Sequence, residues 1–230
     1  MALAIFDLDE TLIAGDSASL FCRFMVDQGL ADESFLIADH AFSEQYSAGT
    51  LDMRAYVRFQ LQPLIQLNKE DINRLMPAFI EQYLKPRIYQ EALDLLTKHK
   101  NQGERLLLIS ATAAFIVKAI AKELGVSDVL AIELEEGINP ADTQTCYNGE
   151  IAGVASFKEG KIIRLKAWLK EQGESMDGAY FYSDSMNDLP LLELVDHPVA
   201  TNPDRSLSKL AVSRGWQLIR WPLPAFAASA

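Results

Sequence analysis

The sequence predicts an α/β fold in which helices cover a central parallel β-sheet. Short apolar runs alternate along the chain with long amphipathic segments, and each apolar run ends in turn-forming or acidic residues. This alternation is typical of parallel strands that are buried on both faces and joined by helices. A long stretch with almost no strand signal separates the first apolar run from the second. It predicts an inserted helical unit, because a simple crossover needs far fewer residues.

Composition and charge narrow the classes of partner. Hydrophobic residues make up 49% of the 230 residues, which is enough for a sizeable core. The formal net charge is -11, and no run of Lys or Arg outlines a nucleic-acid footprint. The N-terminus lacks a signal-peptide pattern, no run reaches the ~20 apolar residues of a membrane span, and the cysteine usage suits a reduced compartment. We therefore expect a cytoplasmic protein that binds neither nucleic acid nor membrane, and the sequence leaves its oligomeric state open.

The individual elements follow from local patterns. Strands are predicted for Leu3 to Phe6, Arg105 to Ile109, Val129 to Leu134, Ala179 to Tyr182, Pro198 to Thr201 and Gln217 to Trp221. Helices are predicted for Asp16 to Gln28, Asp32 to Ala48, Asp52 to Gln62, Lys69 to Tyr83 and Ala113 to Leu124, and a further helix opens at Gly160. Asn148-Gly149 predicts the turn of a tight hairpin. These boundaries divide the chain into a core at 1–15 and 86–221, a helical cap at 16–85 and a loosely attached tail at 222–230.

Two carboxylates stand at the end of the first predicted strand. Asp7 and Asp9 are two residues apart, so on extended chain they point to the same side. Open α/β sheets bind their ligands at this edge. Because close like charges repel, such a pair indicates a divalent cation or a shared proton. Capping of the next helix is the alternative interpretation.

Small hydroxyl-bearing residues follow the second predicted strand. The sequence there is Ser110-Ala111-Thr112, at the expected start of a helix. Ser110 and the backbone amides after it could hold phosphate oxygens, because a helix N-terminus offers free N–H groups. Helix capping by Ser110 or Thr112 remains the alternative.

The third and fourth signals surround the fourth predicted strand. Lys161, shortly before it, could neutralise a phosphate, with Lys158 as a rival candidate and a surface lysine as the alternative. Asp184 ends the strand, and Asn187 and Asp188 follow. Oxygen ligands of this kind suit Mg²⁺. The alternative interpretation is that these acidic residues belong to an ordinary turn on the surface. If these residues were only helix caps or surface residues, the same coincidence would have to occur at all four signals. Their occurrence together therefore favours a single functional site.

In these four elements the chain resembles the haloacid dehalogenase superfamily of phosphatases, in the subfamily that includes phosphoserine phosphatase. The DxDxT pattern is met by Asp7, Asp9 and Thr11, the serine motif by Ser110, the lysine by Lys161, and the DxxND pattern by Asp184, Asn187 and Asp188. The resemblance implies a Rossmann-like core with a parallel sheet and an inserted all-helical cap domain.

The resemblance also implies a mechanism and a cofactor. Asp7 would be the nucleophile that forms an aspartyl phosphate, and Asp9 the general acid and then the base. Mg²⁺ would be held by the Asp7 side chain, the Asp9 carbonyl and Asp184. The phosphate would be bound by Ser110, Ala111 and Lys161. The supporting residues would be Thr11, Asn187 and Asp188.

The substrate expected from the resemblance is a small phosphate monoester, and the cap would select it. Asp16 falls where phosphoserine phosphatases carry a glutamate for the substrate ammonium group, and Arg58 falls near their carboxylate-binding arginine. Ala111 and Thr112 replace two glycines of those enzymes, and the whole chain looks closer to a bacterial branch associated with histidinol phosphate and amino-acid biosynthesis. A cap lining suited to an imidazole could come from Asp16, Phe21, Glu44, Tyr46, Tyr56 or Phe59. Phosphoserine hydrolysis, phosphoryl transfer to an alcohol and a non-catalytic metabolite-binding role remain alternatives.

Overall fold

The computed structural model describes residues 2–139 and 143–225, and its centre is a six-stranded parallel sheet. The strands lie in the order β3-β2-β1-β6-β7-β8, and every neighbouring pair is parallel. Its strands are β1 (Leu3–Phe6), β2 (Arg105–Ala113), β3 (Asp128–Ile132), β6 (Tyr180–Ser183), β7 (His197–Thr201) and β8 (Gln217–Ile219). A separate antiparallel pair comprises β4 (Leu134–Ile138) and β5 (Thr145–Ile151). The parallel sheet confirms the predicted fold class.

The helices of the described residues fall into a group before β2 and a group among the later strands. They are α1 (Ser17–Asp27), α2 (Glu33–Ser47), α3 (Met53–Leu61), α4 (Lys69–Phe79), α5 (Gln90–Asn101), α6 (Ala114–Leu124), α7 (Glu159–Gln172), α8 (Leu189–Leu192) and α9 (Arg205–Arg214). Short 3₁₀ segments lie at Gln62–Leu64, Lys85–Arg87 and Met186–Asp188, and a π-helical turn at Ile80–Leu84 continues α4. No helix in the described part of the chain combines the length and apolarity that crossing a bilayer requires.

Both faces of the sheet are buried, which explains the unbroken apolar runs in the sequence. Along β1, Ala4 and Phe6 belong to one hydrophobic cluster, while Leu3 and Ile5 belong to the other. Alternation along a strand places these pairs on opposite faces. Residues of α1, α4, α5 and α6 cover the first face, and residues of α7, α8 and α9 cover the second. All four side chains of β1 have zero exposure.

Four of the five α-helices between β1 and β2 begin at side-chain caps that the sequence displays. Asp16, Asp32 and Asp52 precede α1, α2 and α3, and each accepts a hydrogen bond from a backbone N–H of the first turn. Asn68 does the same for α4. A cap of this kind satisfies one of the N–H groups that a helix start leaves without a partner. The predicted starts of these four helices are therefore confirmed. The division of the chain into a core and a cap domain stays a prediction.

Three local expectations are corrected by the structure. β2 runs on through Ala113, so Ser110 lies inside a strand and not at a helix start. The apolar run from 129 to 134 divides between two strands of different sheets. Asn148-Gly149 lies within β5, where the pairing with β4 shifts register, and not in the turn of the hairpin. Gly149 has a φ of +89°, a conformation that glycine supplies in bulges as well as in tight turns, so the dipeptide alone did not distinguish the two. Of the predicted tail, residues 226–230 lie outside the described residues.

Candidate active site

The centre of the candidate site is Asp7, the first residue after β1. Its backbone N–H donates to the carbonyl of Tyr182 at 2.9 Å, which continues the pairing of β1 with β6. The side chain is 8% exposed, and its Oδ1 accepts from the Lys161 ammonium at 2.7 Å. The same ammonium donates to Oδ2 of Asp188 at 2.7 Å, and the Ser183 hydroxyl donates to that oxygen at 2.8 Å. Residues from three parts of the chain therefore surround the Asp7 carboxylate.

The start of α7 places Lys161, which is 1% exposed. A Cβ on Gly160 would lie 2.0 Å from the carbonyl oxygen of Ala155, so the chain can pass this point only without a side chain. Lys158, the rival lysine, has a φ of +49° and donates to the carbonyl of Gly49 at 2.6 Å. The structure thus brings Lys161 and not Lys158 to Asp7.

Asp9 lies near Asp7 and is held by hydrogen-bond donors of its own. Its Oδ1 accepts from the backbone N–H of Ser17, the first residue of α1, at 2.6 Å. Its Oδ2 accepts from the Thr112 hydroxyl at 3.1 Å, and the Ser110 hydroxyl lies 3.5 Å away. The positive end of a helix dipole favours a carboxylate at this position. Sequence reasoning missed Ser17 and considered Thr112 only as a helix cap, although a second hydroxyl-bearing residue so close to Ser110 was an available signal.

Asp184 follows β6 and is held beside Asp7 at the same sheet edge. The Thr11 hydroxyl lies 3.4 Å from its Oδ1. Asn187 turns away from this group and donates from Nδ2 to the carbonyl of Tyr46 in α2 at 3.1 Å. The structure therefore brings Thr11, Asp184 and Asp188 to the Asp7 centre, while Asn187 links this loop to a helix on the far side of the cleft.

Burial and mutual repulsion shift the acidity of the clustered groups. Loss of hydration raises the pKa of Asp7 to about 7, although Lys161 opposes the shift. Burial also raises the pKa of Asp9, with Asp16 and Asp7 adding to the effect, and it raises the pKa of Asp184, with Asp7 and Asp188 adding. Burial alone would lower the pKa of Lys161, but Asp188 and Asp7 outweigh it and hold that pKa above its ordinary value. Lys161 therefore stays a cation at neutral pH.

This donor set fits Mg²⁺. Asp7 and Asp184 destabilise each other's charged form, and among the described residues Lys161 is the cation that pairs with the carboxylates of Asp7 and Asp188. A divalent cation would remove the repulsion. Within residues 2–139 and 143–225, no three His, Cys, Asp or Glu side chains form a ready-made cage. Mg²⁺ needs none, because it keeps several waters and binds through one or two carboxylates. The predicted set, two carboxylates and the Asp9 carbonyl, has this form.

A cleft of about 500 Å³ lies above these carboxylates. Its floor includes Asp7, Asp9 and Asp184, and Ala111 and Thr112 line it beside them. The opposite wall comes from the start of α1 and from α2 and α3, and its lining residues are Asp16, Ala18, Phe42, Ser43, Tyr46, Ser47, Met53 and Tyr56. No Lys, Arg or His is among the lining residues in the described part of the chain. The cleft is therefore acidic and partly aromatic.

The structure does not bring four of the expected specificity residues to the cleft. The exposed guanidinium of Arg58 donates to Glu150 of β5 at 2.7 Å and 3.1 Å. Phe21 has no exposed surface and packs against Phe79. Glu44 is exposed beside His40, and Phe59 stacks on Phe35 at a centroid distance of 4.3 Å. Asp16, Tyr46 and Tyr56 remain as cleft residues.

Comparison with known proteins gives a consistent family. The haloacid dehalogenase-like hydrolases match residues 4–193. A histidinol-phosphatase of Neisseria meningitidis serogroup C is 39% identical over 223 residues, which cover 95% of this chain and 98% of that protein. A phosphoserine phosphatase of Mycobacterium tuberculosis is 30% identical over 238 residues, which cover 94% of this chain and 70% of that protein.

Solved structures agree with the fold described above. A Bordetella pertussis protein of unknown function superimposes with a TM-score of 0.85 at 33% identity, covering 95% of this chain and 97% of that one. A substrate-bound phosphoserine phosphatase superimposes with a TM-score of 0.66 at 16% identity, over 95% and 92% of the two chains, which shows the likeness of fold. With its sheet, its acidic edge and these relatives, the chain is an enzyme that belongs to the haloacid dehalogenase-like hydrolase family.

Proposed function

We propose that this enzyme is a Mg²⁺-dependent phosphomonoesterase that converts histidinol phosphate and water to histidinol and phosphate in the cytoplasm, as a step of amino-acid biosynthesis. The observation that carries the chemistry is the Lys161 ammonium, which lies 2.7 Å from both Asp7 and Asp188 beneath an acidic cleft. Support for the substrate comes from the Neisseria meningitidis relative, which aligns over nearly the full length of both chains.

The proposed reaction has two displacements at phosphorus. A carboxylate oxygen of Asp7 attacks phosphorus, the bond from phosphorus to the ester oxygen breaks, and Asp9 gives its proton to the departing alkoxide. Burial raises the pKa of Asp9, which helps this carboxyl to hold the proton that it gives to the leaving group. Asp9 then takes a proton from water, whose oxygen attacks phosphorus and frees the Asp7 carboxylate. Ser17 and Thr112 hold Asp9 in place for both proton transfers.

The remaining residues stabilise the negative charge of the phosphoryl group or hold other side chains in position. Lys161 fixes the Asp7 carboxylate and balances the negative charge of the phosphoryl group, together with Ser110 and the Ala111 amide. When bound by Asp7, Asp184 and the Asp9 carbonyl, Mg²⁺ would supply electrostatic stabilisation of that group. Thr11 and Asp188 keep Asp184 and Lys161 in position, and Asn187 connects their loop to α2. The helices α1–α4 would act as the cap that covers the cleft.

Phosphate release from a panel of monoesters tests the proposal. The panel holds histidinol phosphate, phosphoserine and 4-nitrophenyl phosphate, each measured with Mg²⁺ and with a chelator. We expect chelation and Asp7→Asn each to abolish release, while Asp94→Asn, an exposed aspartate of α5, keeps it. Undiminished release by Asp7→Asn would refute the mechanism. Equal activity on all esters would refute the proposed specificity for histidinol phosphate. Transfer of phosphate to added alcohols in preference to water would show that the enzyme is a phosphotransferase.

A further inference from the structure

One buried acidic side chain near the cleft has no part in the chemistry above. Asp39 of α2 is 5% exposed, and its Oδ1 accepts a hydrogen bond from the Tyr56 hydroxyl of α3 at 3.1 Å. The Cys22 thiol also faces this carboxylate. Tyr56 lines the cleft, whereas Asp39 lies behind it. Burying a carboxylate among the helices behind the cleft costs free energy. The hydrogen bond between Asp39 and a cleft residue therefore indicates a functional role for Asp39.

The direction of this hydrogen bond sets what Tyr56 can offer to a ligand. A phenol carries a single O–H proton, and here that proton goes to Asp39, which as a carboxylate can only accept. Burial raises the pKa of Tyr56 well above its ordinary value, and the nearby acidic side chains add to this, so the phenol keeps its proton. Tyr56 lines the cleft, and a hydroxyl that gives its proton to Asp39 can meet a ligand only with its oxygen lone pairs, which accept from an N–H or O–H donor and repel a carboxylate.

The neighbours of Tyr56 favour a cationic donor. Asp16 lines the cleft on the same wall, and it interacts electrostatically with Tyr56 and Asp39. The ring centroids of Phe42 and Tyr56 are 5.3 Å apart, and both residues line the cleft. Aromatic rings therefore lie near the oxygen acceptors of Tyr56 and Asp16. A cation gains from both kinds of neighbour. The lining contains no Lys, Arg or His among the described residues, and Arg58 is held by Glu150.

We propose that Tyr56, oriented by Asp39, belongs to the leaving-group subsite beside Asp16 and makes that subsite select a phosphate ester whose alcohol carries a cationic N–H group and no carboxylate. The inference rests on the proposed function and deepens it. Tyr56 and Asp16 contact the leaving group, and Asp39 is a positioning residue that fixes the proton of Tyr56. An ester of this class, such as histidinol phosphate, binds; phosphoserine, whose alcohol adds a carboxylate, is rejected.

The test compares kcat/KM for histidinol phosphate and for 4-nitrophenyl phosphate, whose alcohol has no cation. We expect Tyr56→Phe and Asp39→Asn to lower kcat/KM for histidinol phosphate about 10- to 100-fold, mainly through KM, with little change for 4-nitrophenyl phosphate. Tyr83→Phe is the matched control, because the Tyr83 hydroxyl donates to Asp27 outside the cleft. It should leave both values unchanged.

The outcomes separate the two proposals. Equal losses on both esters, or an unchanged preference in Tyr56→Phe, overturn the subsite. If Asp39→Asn does not fold, Tyr56→Phe decides alone, because it removes only the hydroxyl. Wild-type enzyme that hydrolyses 4-nitrophenyl phosphate and favours phosphoserine refutes the subsite and leaves the phosphatase chemistry standing. Wild-type enzyme that hydrolyses no ester with Mg²⁺ refutes the proposed function itself.

Discussion

The ammonium group of Lys161 donates to Oδ2 of Asp188 at 2.7 Å, in a pocket where the two side chains are 1% and 2% exposed. Removing one partner of a buried ion pair leaves the other charge uncompensated. Here the same ammonium also holds Asp7. The pair therefore links the stability of the fold to the geometry of the proposed nucleophile.

Replacing Lys161 should damage both properties. We expect Lys161→Met to lower kcat at least about 100-fold and to destabilise the protein by roughly 3–5 kcal/mol. The loss is measured by phosphate release and by denaturant unfolding. Lys158→Ala is the control, because Lys158 donates to the Gly49 carbonyl instead of Asp7, and it should keep most of its activity. A larger loss in Lys158→Ala than in Lys161→Met would reverse the assignment.

A methyl group at Gly160 should displace the start of α7. Its Cβ would lie 2.0 Å from the Ala155 carbonyl oxygen, which belongs to the backbone and cannot swing away. We expect Gly160→Ala to cost roughly 1–3 kcal/mol of stability and to lower kcat, because Lys161 is the next residue. Gly137→Ala in β4 provides the comparison, since the nearest atom to its Cβ is 3.9 Å away. Unfolding curves that coincide for Gly160→Ala and wild type would contradict the argument.

The stabilisation by Mg²⁺ should depend on pH. Burial raises the pKa of Asp7 from 3.8 to about 7 in the metal-free fold, so the folded state holds this proton more tightly than the unfolded state. The resulting stability is complete below the unfolded pKa and is lost as pH rises through about 7. Mg²⁺ binds the ionised form, and we expect it to raise Tm more at about pH 8 than at about pH 5.5. In Asp7→Asn this pH dependence should weaken, and an equal shift at both pH values would count against Asp7 as a ligand.

Arg58 should be dispensable for catalysis. Its guanidinium is exposed and paired with Glu150, away from the cleft. We expect Arg58→Ala to leave kcat/KM for histidinol phosphate and for phosphoserine within about twofold of wild type, because exposed pairs contribute little. A selective loss on phosphoserine would show instead that Arg58 leaves Glu150 to bind a carboxylate. Glu150→Gln, which releases Arg58, is the control for that possibility.

The convergence of the acidic residues was predictable because it depends on topology. Carboxyl ends of parallel strands meet at one edge, so Asp7 after β1 and Asp184 after β6 were expected at the same edge, and the pairing of β1 with β6 makes them neighbours there. The starts of α1, α2 and α3 were predictable because Asp at the N-cap acts within one turn of chain. Both arguments need only local sequence and a sheet.

Features that depend on distant partners were not predictable. Arg58 meets Glu150 across 92 residues, and no local pattern indicates that pair. Asp39 and Tyr56 lie on different helices, so their hydrogen bond depends on how α2 packs on α3. The turn predicted at Asn148-Gly149 was wrong for another reason, since a glycine with positive φ serves a bulge as well as a turn.

The hydrogen bond from Asn187 to the Tyr46 carbonyl has a consequence for access to the cleft. Asn187 belongs to the loop that carries Asp184 and Asp188, and Tyr46 lies in the last turn of α2. A movement of α2 that widens the entrance has to break this bond, and the loop then loses an anchor. Such an opening would loosen the acidic loop, so the closure of the cleft and the geometry of its carboxylates would be linked through this hydrogen bond.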